Sequence, residues 1–254
     1  MPQDIPTYTT TGTPTARLTA FFARLHPVTT EHALIRLGPD GDGGYLVPDD
    51  LEGITASFSP GVGAITGFEL DCAERGMNVY LADNSVDGPA TPHPNFHFTQ
   101  KHISSTTSAK KMTLNSWVNN ACGATGDDLM LQFDIEGDEY EMLLNASSRT
   151  LRRFRVIVGE FHMLDAFHSK PFFRLASRAF TKILQSHECV HIHPNNAHTP
   201  VEVNGLAIPP LAEFTFLRKD RCSPSGYAKT FPHPLDQPNT KHPDFALPKS
   251  LYRS

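Results

Sequence analysis

From Ile54 onward the chain alternates short apolar runs with longer mixed segments. Seven runs, ITASFSP, NVYLADN, NFHFTQK, DLMLQFD, FRVIVGE, CVHIHP and AEFTFLR, have the length and the β-branched or aromatic content of strands. Between them, Gly67 to Arg75, Met112 to Asn119, Glu139 to Asn145 and Pro171 to His187 read as helices. This alternation predicts an α/β domain with a doubly wound sheet of seven strands covered on both faces. Upstream, ARLTAFFARL from Ala16 to Leu25 carries apolar residues at helical spacing. LIRLGPDGDGGYLVPDD, with Gly38, Gly41, Gly43 and Gly44 in its middle, reads as a β-hairpin. The first fourteen residues are rich in Thr and Pro and are expected to be flexible. From Cys222 to the end, Pro and polar residues interrupt any helix or central strand, which predicts an extended arm over the body or over a neighbouring copy. The expected organisation is therefore an N-terminal extension over 1–50, a ligand-binding α/β domain over 51–221 and a Pro-rich arm over 222–254.

Composition narrows the partners. With 254 residues the chain can bury the core of one such domain. A net charge of −5 and scattered Lys and Arg residues supply no basic stripe for a nucleic-acid backbone. No stretch approaches the roughly 20 apolar residues of a membrane span, and the start lacks a basic segment followed by an apolar block. A soluble, cytoplasmic protein is expected. Cys72, Cys122, Cys189 and Cys222 form no CxxC pair, which argues against a zinc knuckle or a dithiol site and for buried thiols in a reducing compartment.

In an open parallel sheet, ligands sit beyond the C-terminal ends of the strands. The first strand runs into SFSPGVG, where Gly61 and Gly63 let the loop approach a ligand that the next helix faces with its N-terminal amides. The second strand ends in Asp83, about 20 residues later, where nucleotide-binding α/β domains place an acid for ribose hydroxyls. Together these point to an adenosyl ligand. Thr66 stands where the dinucleotide fingerprint has its third glycine, and the GK[ST] of a P-loop is missing. A nucleoside without a pyrophosphate fits better, S-adenosylmethionine being the commonest.

The fourth, fifth and sixth strands each end on a polar-x-polar pair: Asp134 with Glu136, Glu160 with His162, and His191 with His193. Alternation sends each pair to one face, and neighbouring strands stand about 4.8 Å apart, so the groups can converge. Carboxylates with imidazoles offer either a general base or an oxygen-and-nitrogen metal site. The base reading is preferred. The metal reading takes Asp134, Glu160 and His193 as ligands of Mg or Mn. Asp134 follows a buried strand directly and is the strongest candidate. Glu160 and His162 follow the apolar VIV run, where an unused carboxylate is costly. Asp138, Glu139 and Glu141 sit where a helix begins, and the macrodipole favours acids there without any catalytic task. His191 and His193 read equally well as ligands or as half-buried strand histidines.

These motifs, GDGGYLVPDDL, SFSPGVG with FELDCAERG, LADNS, FDIEGDEYEML, VIVGEFHML, HIHPNN and LAEFTFLR, together resemble an FkbM-type S-adenosylmethionine-dependent methyltransferase, from about Leu34 to Asp220. The resemblance implies the class I methyltransferase sheet, Rossmann-like, with AEFTFLR antiparallel between the fifth and sixth strands. It implies that Gly61, Gly63 and Glu69 line the methionine side of the cofactor, that Asp83 holds its ribose, and that Asp42, Gly43 and Tyr45 contribute from the hairpin. It also implies O-methylation, often on a sugar, glycan or glycosylated natural product. One departure is that Ser57-Phe58-Ser59 stands where many class I enzymes carry an acid, and Glu69 is the expected substitute. On this reading His162 or His193 acts as base, Asp134 and Glu160 position the acceptor, and the arm offers a contact between copies of the chain. Two other readings stay open. One is a non-catalytic nucleoside- or carbohydrate-binding protein on the same fold; the other is an NAD-dependent oxidoreductase, disfavoured by Thr66 and by the missing Tyr-x-x-x-Lys pair.

Overall fold

All seven runs form strands of one sheet in the computed structural model, which describes residues 12–124 and 126–253. Most of the Thr- and Pro-rich start, residues 1–11, lies outside the described residues. The hairpin pairs β1 (Leu34–Leu37) with β2 (Tyr45–Pro48) antiparallel. The sheet strands follow as β3 (Ala56–Pro60), β4 (Asn78–Ala82), β5 (Phe96–Thr99), β6 (Leu129–Phe133), β7 (Phe154–Phe161), β8 (His187–Pro194) and β9 (Ala212–Arg218). Their spatial order is β8-β9-β7-β6-β3-β4-β5. Only β9 runs against its neighbours, and it sits between β7 and β8. The Rossmann-like, mixed seven-stranded sheet expected from the resemblance is thus the fold.

Two cores lie on the two faces of the sheet. On one, α1 (Thr15–Phe22), α3 (Leu114–Cys122), α4 (Glu139–Asn145), α5 (Ser148–Leu151) and α6 (Lys170–Ile183) pack on Phe58, Leu131, Ile157, Phe161, Phe214 and Phe216. On the other, the hairpin and α2 (Gly67–Glu74) pack on Val79, Leu81, Met130, Val156 and Val158. The odd–even alternation of each central strand supplies both cores, which is why these strands read as unbroken apolar runs. Three boundaries differ from the sequence reading for local reasons. α3 starts after Thr113, whose hydroxyl accepts the Ser116 amide at 3.2 Å, so Met112 is left to pair with Ile103. α6 stops at Ile183 because β8 already begins at His187. Val201–Val203 and Leu206–Ile208 form a hairpin not foreseen, closed by Asn204 and Gly205, both at positive φ.

The arm lies on its own body. Gly226–Tyr227 adds to Val28–Thr29, and Leu247 and Leu251 enter the larger core. Among the described residues, no helix is long and apolar enough to cross a membrane.

Candidate functional site

A cavity of about 510 Å³ opens at the C-terminal ends of β3, β4 and β6. Gly61, Gly63, Asp83, Asp134, Glu136 and Asp138 line it, with Ile103, His102 and Lys111 on the opposite rim. Gly61 has φ 92°, and a Cβ there would overlap the carbonyl oxygen of Asp134. The glycine thus lets the β3 loop pack on the end of β6. Asp83 takes the amide and the hydroxyl of Ser85 on its Oδ1, each at 2.6 Å, and no hydrogen bond from a described residue reaches its Oδ2. Glu69 does not line the cavity. It is buried beneath it, where the Ser59 hydroxyl sits between the Glu69 carboxylate and Gln132, 2.5 Å from Gln132 Oε1. Burial pushes the Glu69 carboxyl up, and the Ser59 hydrogen bond opposes that shift. Of the hairpin residues, Asp42 and Gly43 stand outside the cavity lining, whereas Tyr45 turns inward and is 5% exposed.

The sheet register explains how the strand-end groups meet. Glu160 of β7 is directly opposite Glu213 of β9, and Glu213 is opposite His193 of β8. Val156 and Val158 belong to the hairpin-side core, so Glu160 and its partners across the sheet point to that side. Gln132 and Asp134 share the side that Met130 takes. A polar row therefore crosses four strands beneath the hairpin, where Thr215 donates to the Leu46 carbonyl at 2.6 Å.

At the cavity end of this row, His162 is enclosed by carboxylates. Its Nε2 lies 3.7 Å from Asp134, 3.3 Å from Glu136 and 3.6 Å from Glu160, and its Nδ1 lies 3.5 Å from Glu139. Glu139 is fully buried and accepts the amides of His162 at 2.7 Å and Gly137 at 2.8 Å. The expectation that Glu139 merely opens a helix is corrected, because the turn from Ile135 to Asp138 folds its side chain inward against His162. Glu136 makes that turn with φ 54°. Asp138 and Glu141 stay exposed on α4 and its approach, Glu141 taking the Ser105 hydroxyl at 3.0 Å.

Burial raises the Asp134 carboxyl to about 6; His162 opposes the shift, and Glu136, Asp42 and Glu139 add to it. Burial also raises Glu160, reinforced by Asp134 and Glu213. For His162 burial works against the charge, but Glu139, Glu160 and Asp134 outweigh it and raise the imidazole. The Oδ1 of Asp134 is buried without a hydrogen-bond partner.

His193 does not join this cluster, because β9 intervenes. Its Nδ1 is 3.3 Å from Glu213 Oε2 instead. The ligand atoms of Asp134, Glu160 and His162 lie within 4.8 Å of one another, so the converging metal-type set contains His162 and not His193. The HPNN motif reaches the site by another route. Asn195 donates to Glu160 Oε1 at 2.6 Å, and Asn196 holds the arm through the Thr240 and His242 carbonyls. The arm also anchors at His191, 2.9 Å from Asp236, and at Glu213, which accepts from Asn239 at 2.7 Å. Sequence reasoning missed Glu213. The available signal was a single acid between the apolar residues Ala212 and Phe214 of the run AEFTFLR.

Compared with models of protein families, residues 61–189, half of the chain, match the one described as the methyltransferase FkbM domain. Among curated proteins, none matches the chain.

Proposed function

Since the chain belongs to the FkbM methyltransferase family, we propose that its cavity binds S-adenosylmethionine and that it methylates a hydroxyl group of a sugar, glycan or glycosylated natural product. The residues fit the cofactor. Gly63 leaves open space where a side chain would stand, Asp83 keeps one carboxylate oxygen for a ribose hydroxyl, and Gly61 and Val62 bring main chain to the same wall. When bound, the cofactor supplies an electrophilic methyl group on a sulfonium.

The observation that carries the reading is the Asp134 carboxylate, which lines the cavity while its buried Oδ1 faces His162 Nε2 at 3.7 Å without a hydrogen bond. An acceptor hydroxyl in the cavity would donate to it, and a carboxyl raised to about 6 is ionised at neutral pH and able to take that proton. The imidazole of His162, raised by its carboxylate neighbours, is held in its charged form. This works against the expected part of His162 as base and makes it the group that stabilises the Asp134 carboxylate. Glu160, raised by burial beside Asp134 and Glu213, favours its protonated form, which limits the buried negative charge around Asp134. It does not line the cavity and acts on the acceptor through Asp134 and His162. Positioning matters as much as basicity, because an in-line displacement needs the acceptor oxygen aligned. A polyhydroxylated acceptor is favoured because Asp134, Glu136 and Asp138 line the cavity while no Phe, Tyr or Trp does, so a flat phenol finds no ring to stack on.

A second reading of the same cluster rests on the 4.8 Å convergence of Asp134, Glu160 and His162. Glu139 behind Nδ1 stands where a carboxylate orients a ligating imidazole, and the oxygen-rich set suits Mg or Mn. The cation would supply Lewis-acid stabilisation of the acceptor oxygen.

Calorimetry with S-adenosylhomocysteine and with NAD tests the cofactor; binding of NAD alone would sink the proposal. Mass spectrometry of sugar and catechol acceptors incubated with S-adenosylmethionine tests the acceptor. Methylated sugar is expected, and methylated catechol alone would overturn the sugar class.

A further inference from the structure

We propose that the protein carries a second ligand site, for a soluble phosphate or diphosphate ester, at the end of the sheet opposite the catalytic cavity. A cavity of about 630 Å³, larger than the catalytic one, opens there between the turn before β6, the junction of α5 with β7 and the end of β9. Although the chain is net acidic, Arg149, Arg152, Arg153, Arg218 and Lys219 all line it.

Asp127, Asp128 and Asp220 stand in the same wall. Asp128 is shared by Arg155 and Arg218, each at 2.6 Å, and Asp220 pairs with Arg218 at 2.6 Å. Among the described residues, Arg149, Arg152 and Arg153 make no ion pair with a carboxylate. Arg153 is only 8% exposed. Its two terminal nitrogens reach the carbonyls of Gly123 at 2.8 Å and Cys122 at 3.5 Å, and its Nε is buried without a hydrogen bond. A guanidinium this deep is unfavourable unless an anion answers it. The Arg149 guanidinium spends one contact on the Ala124 carbonyl at 3.2 Å, and the Arg152 side chain is exposed at the rim.

Planar guanidinium forks match phosphate oxygens in pairs, which single ammonium groups cannot do. The volume falls in the range of small-molecule sites, large enough for an ester rather than a lone phosphate. Among the described residues, none of the large exposed apolar side chains, Ile65, Met163, Val201, Tyr227 and Leu235, lines the recess, which favours a soluble ligand over a lipid headgroup. Seven residue steps along β7 separate Arg153 from Glu160, about 23 Å at the rise of a strand, so the two ligands would not touch.

Isothermal calorimetry on the full chain with pyrophosphate, at constant ionic strength, tests the site. Saturable binding is expected, weakened at least about tenfold in Arg149→Ala and in Arg152→Ala, with S-adenosylhomocysteine affinity and melting temperature unchanged. The side chains of Arg149 and Arg152 are exposed, so neither variant is expected to disturb the core. Absence of saturable binding, parental affinity in both variants, or competition with S-adenosylhomocysteine would overturn the proposal. Binding to anionic-lipid vesicles in place of pyrophosphate would overturn its assignment to a soluble ester.

Discussion

The carboxylate of Glu139 accepts the main-chain amide of His162 at 2.7 Å and stands 3.5 Å from the Nδ1 of the same residue. One buried acid thereby anchors the backbone, and stands beside the ring, of the histidine that faces Asp134 and Glu160. The contact joins the two most distinctive stretches of the chain, DIEGDE and EFH, and it makes the site's electrostatics depend on a side chain that never reaches the cavity.

Removing that acid leaves two buried amides, those of His162 and Gly137, without an acceptor. Glu139→Ala is expected to lose about 2–6 kcal/mol of stability, at roughly 1–3 kcal/mol for each of the two unsatisfied buried donors. Glu139→Gln, which keeps an acceptor oxygen, should lose less. Urea denaturation of both variants checks the order, and an Ala variant as stable as the parent would remove Glu139 from this role.

The pH dependence of methyl transfer follows from the three raised groups, Asp134, Glu160 and His162. Asp134 must be ionised to accept a proton, so kcat/KM should climb as pH rises through about 6, its elevated value. His162 and Glu160 must stay protonated, and because carboxylate neighbours raise the first and burial the second, the falling limb should lie above the ordinary histidine range. A bell-shaped profile is expected. An Asp134→Asn variant should lose the acid limb together with most of its turnover, and a profile flat between pH 5 and 7 would exclude Asp134 as base.

The metal reading makes an opposite forecast for the same cluster. If Asp134, Glu160 and His162 hold Mg or Mn, chelation abolishes turnover and added cation restores it. If they act as base and partners, dialysis against chelator leaves turnover unchanged. Glu136, 3.3 Å from His162 Nε2 and exposed, should then tolerate replacement by Gln with a loss under about tenfold.

Asn239 reaches back from the arm to hold Glu213, and Glu213 faces Glu160 across the sheet. Asn239→Ala and Glu213→Gln should each lower kcat by about tenfold, some 1.4 kcal/mol of transition-state stabilisation, without changing S-adenosylhomocysteine affinity. Equal losses of cofactor affinity in both variants would mean that the arm only supports the fold.

A methyl group at Gly61 has nowhere to go, since the Asp134 carbonyl occupies its place and φ is 92°. Gly61→Ala should cost at least about 3 kcal/mol and displace the end of β6. Thermal melting measures the first effect and S-adenosylhomocysteine calorimetry the second. Gly63→Ala, with open space around it, should fold normally and weaken cofactor binding alone.

Much of this architecture was legible because it is local. Buried strands between two layers are apolar on both faces, so the β6 and β7 runs announced themselves, and the hairpin was written in its glycines. The acids of FDIEGDEYE were visible too, but their fates were not. Burial of Glu139 depends on a left-handed turn at Glu136 and on strand β7 arriving beside it. Macrodipole reasoning on a helix start carries no information about either.

The order of elements, the family and the strand ends at which chemistry gathers are legible in the chain alone, since period, turn residues and motif spacing are properties of neighbouring positions. The resemblance already implied β9 antiparallel between β7 and β8, which sets His193 one strand farther away. The folded sheet added the register that puts Glu213 next to Glu160 and the contacts that make His162 the imidazole of the cluster. Register between strands distant in the chain is fixed by packing of both faces, and no local pattern encodes it.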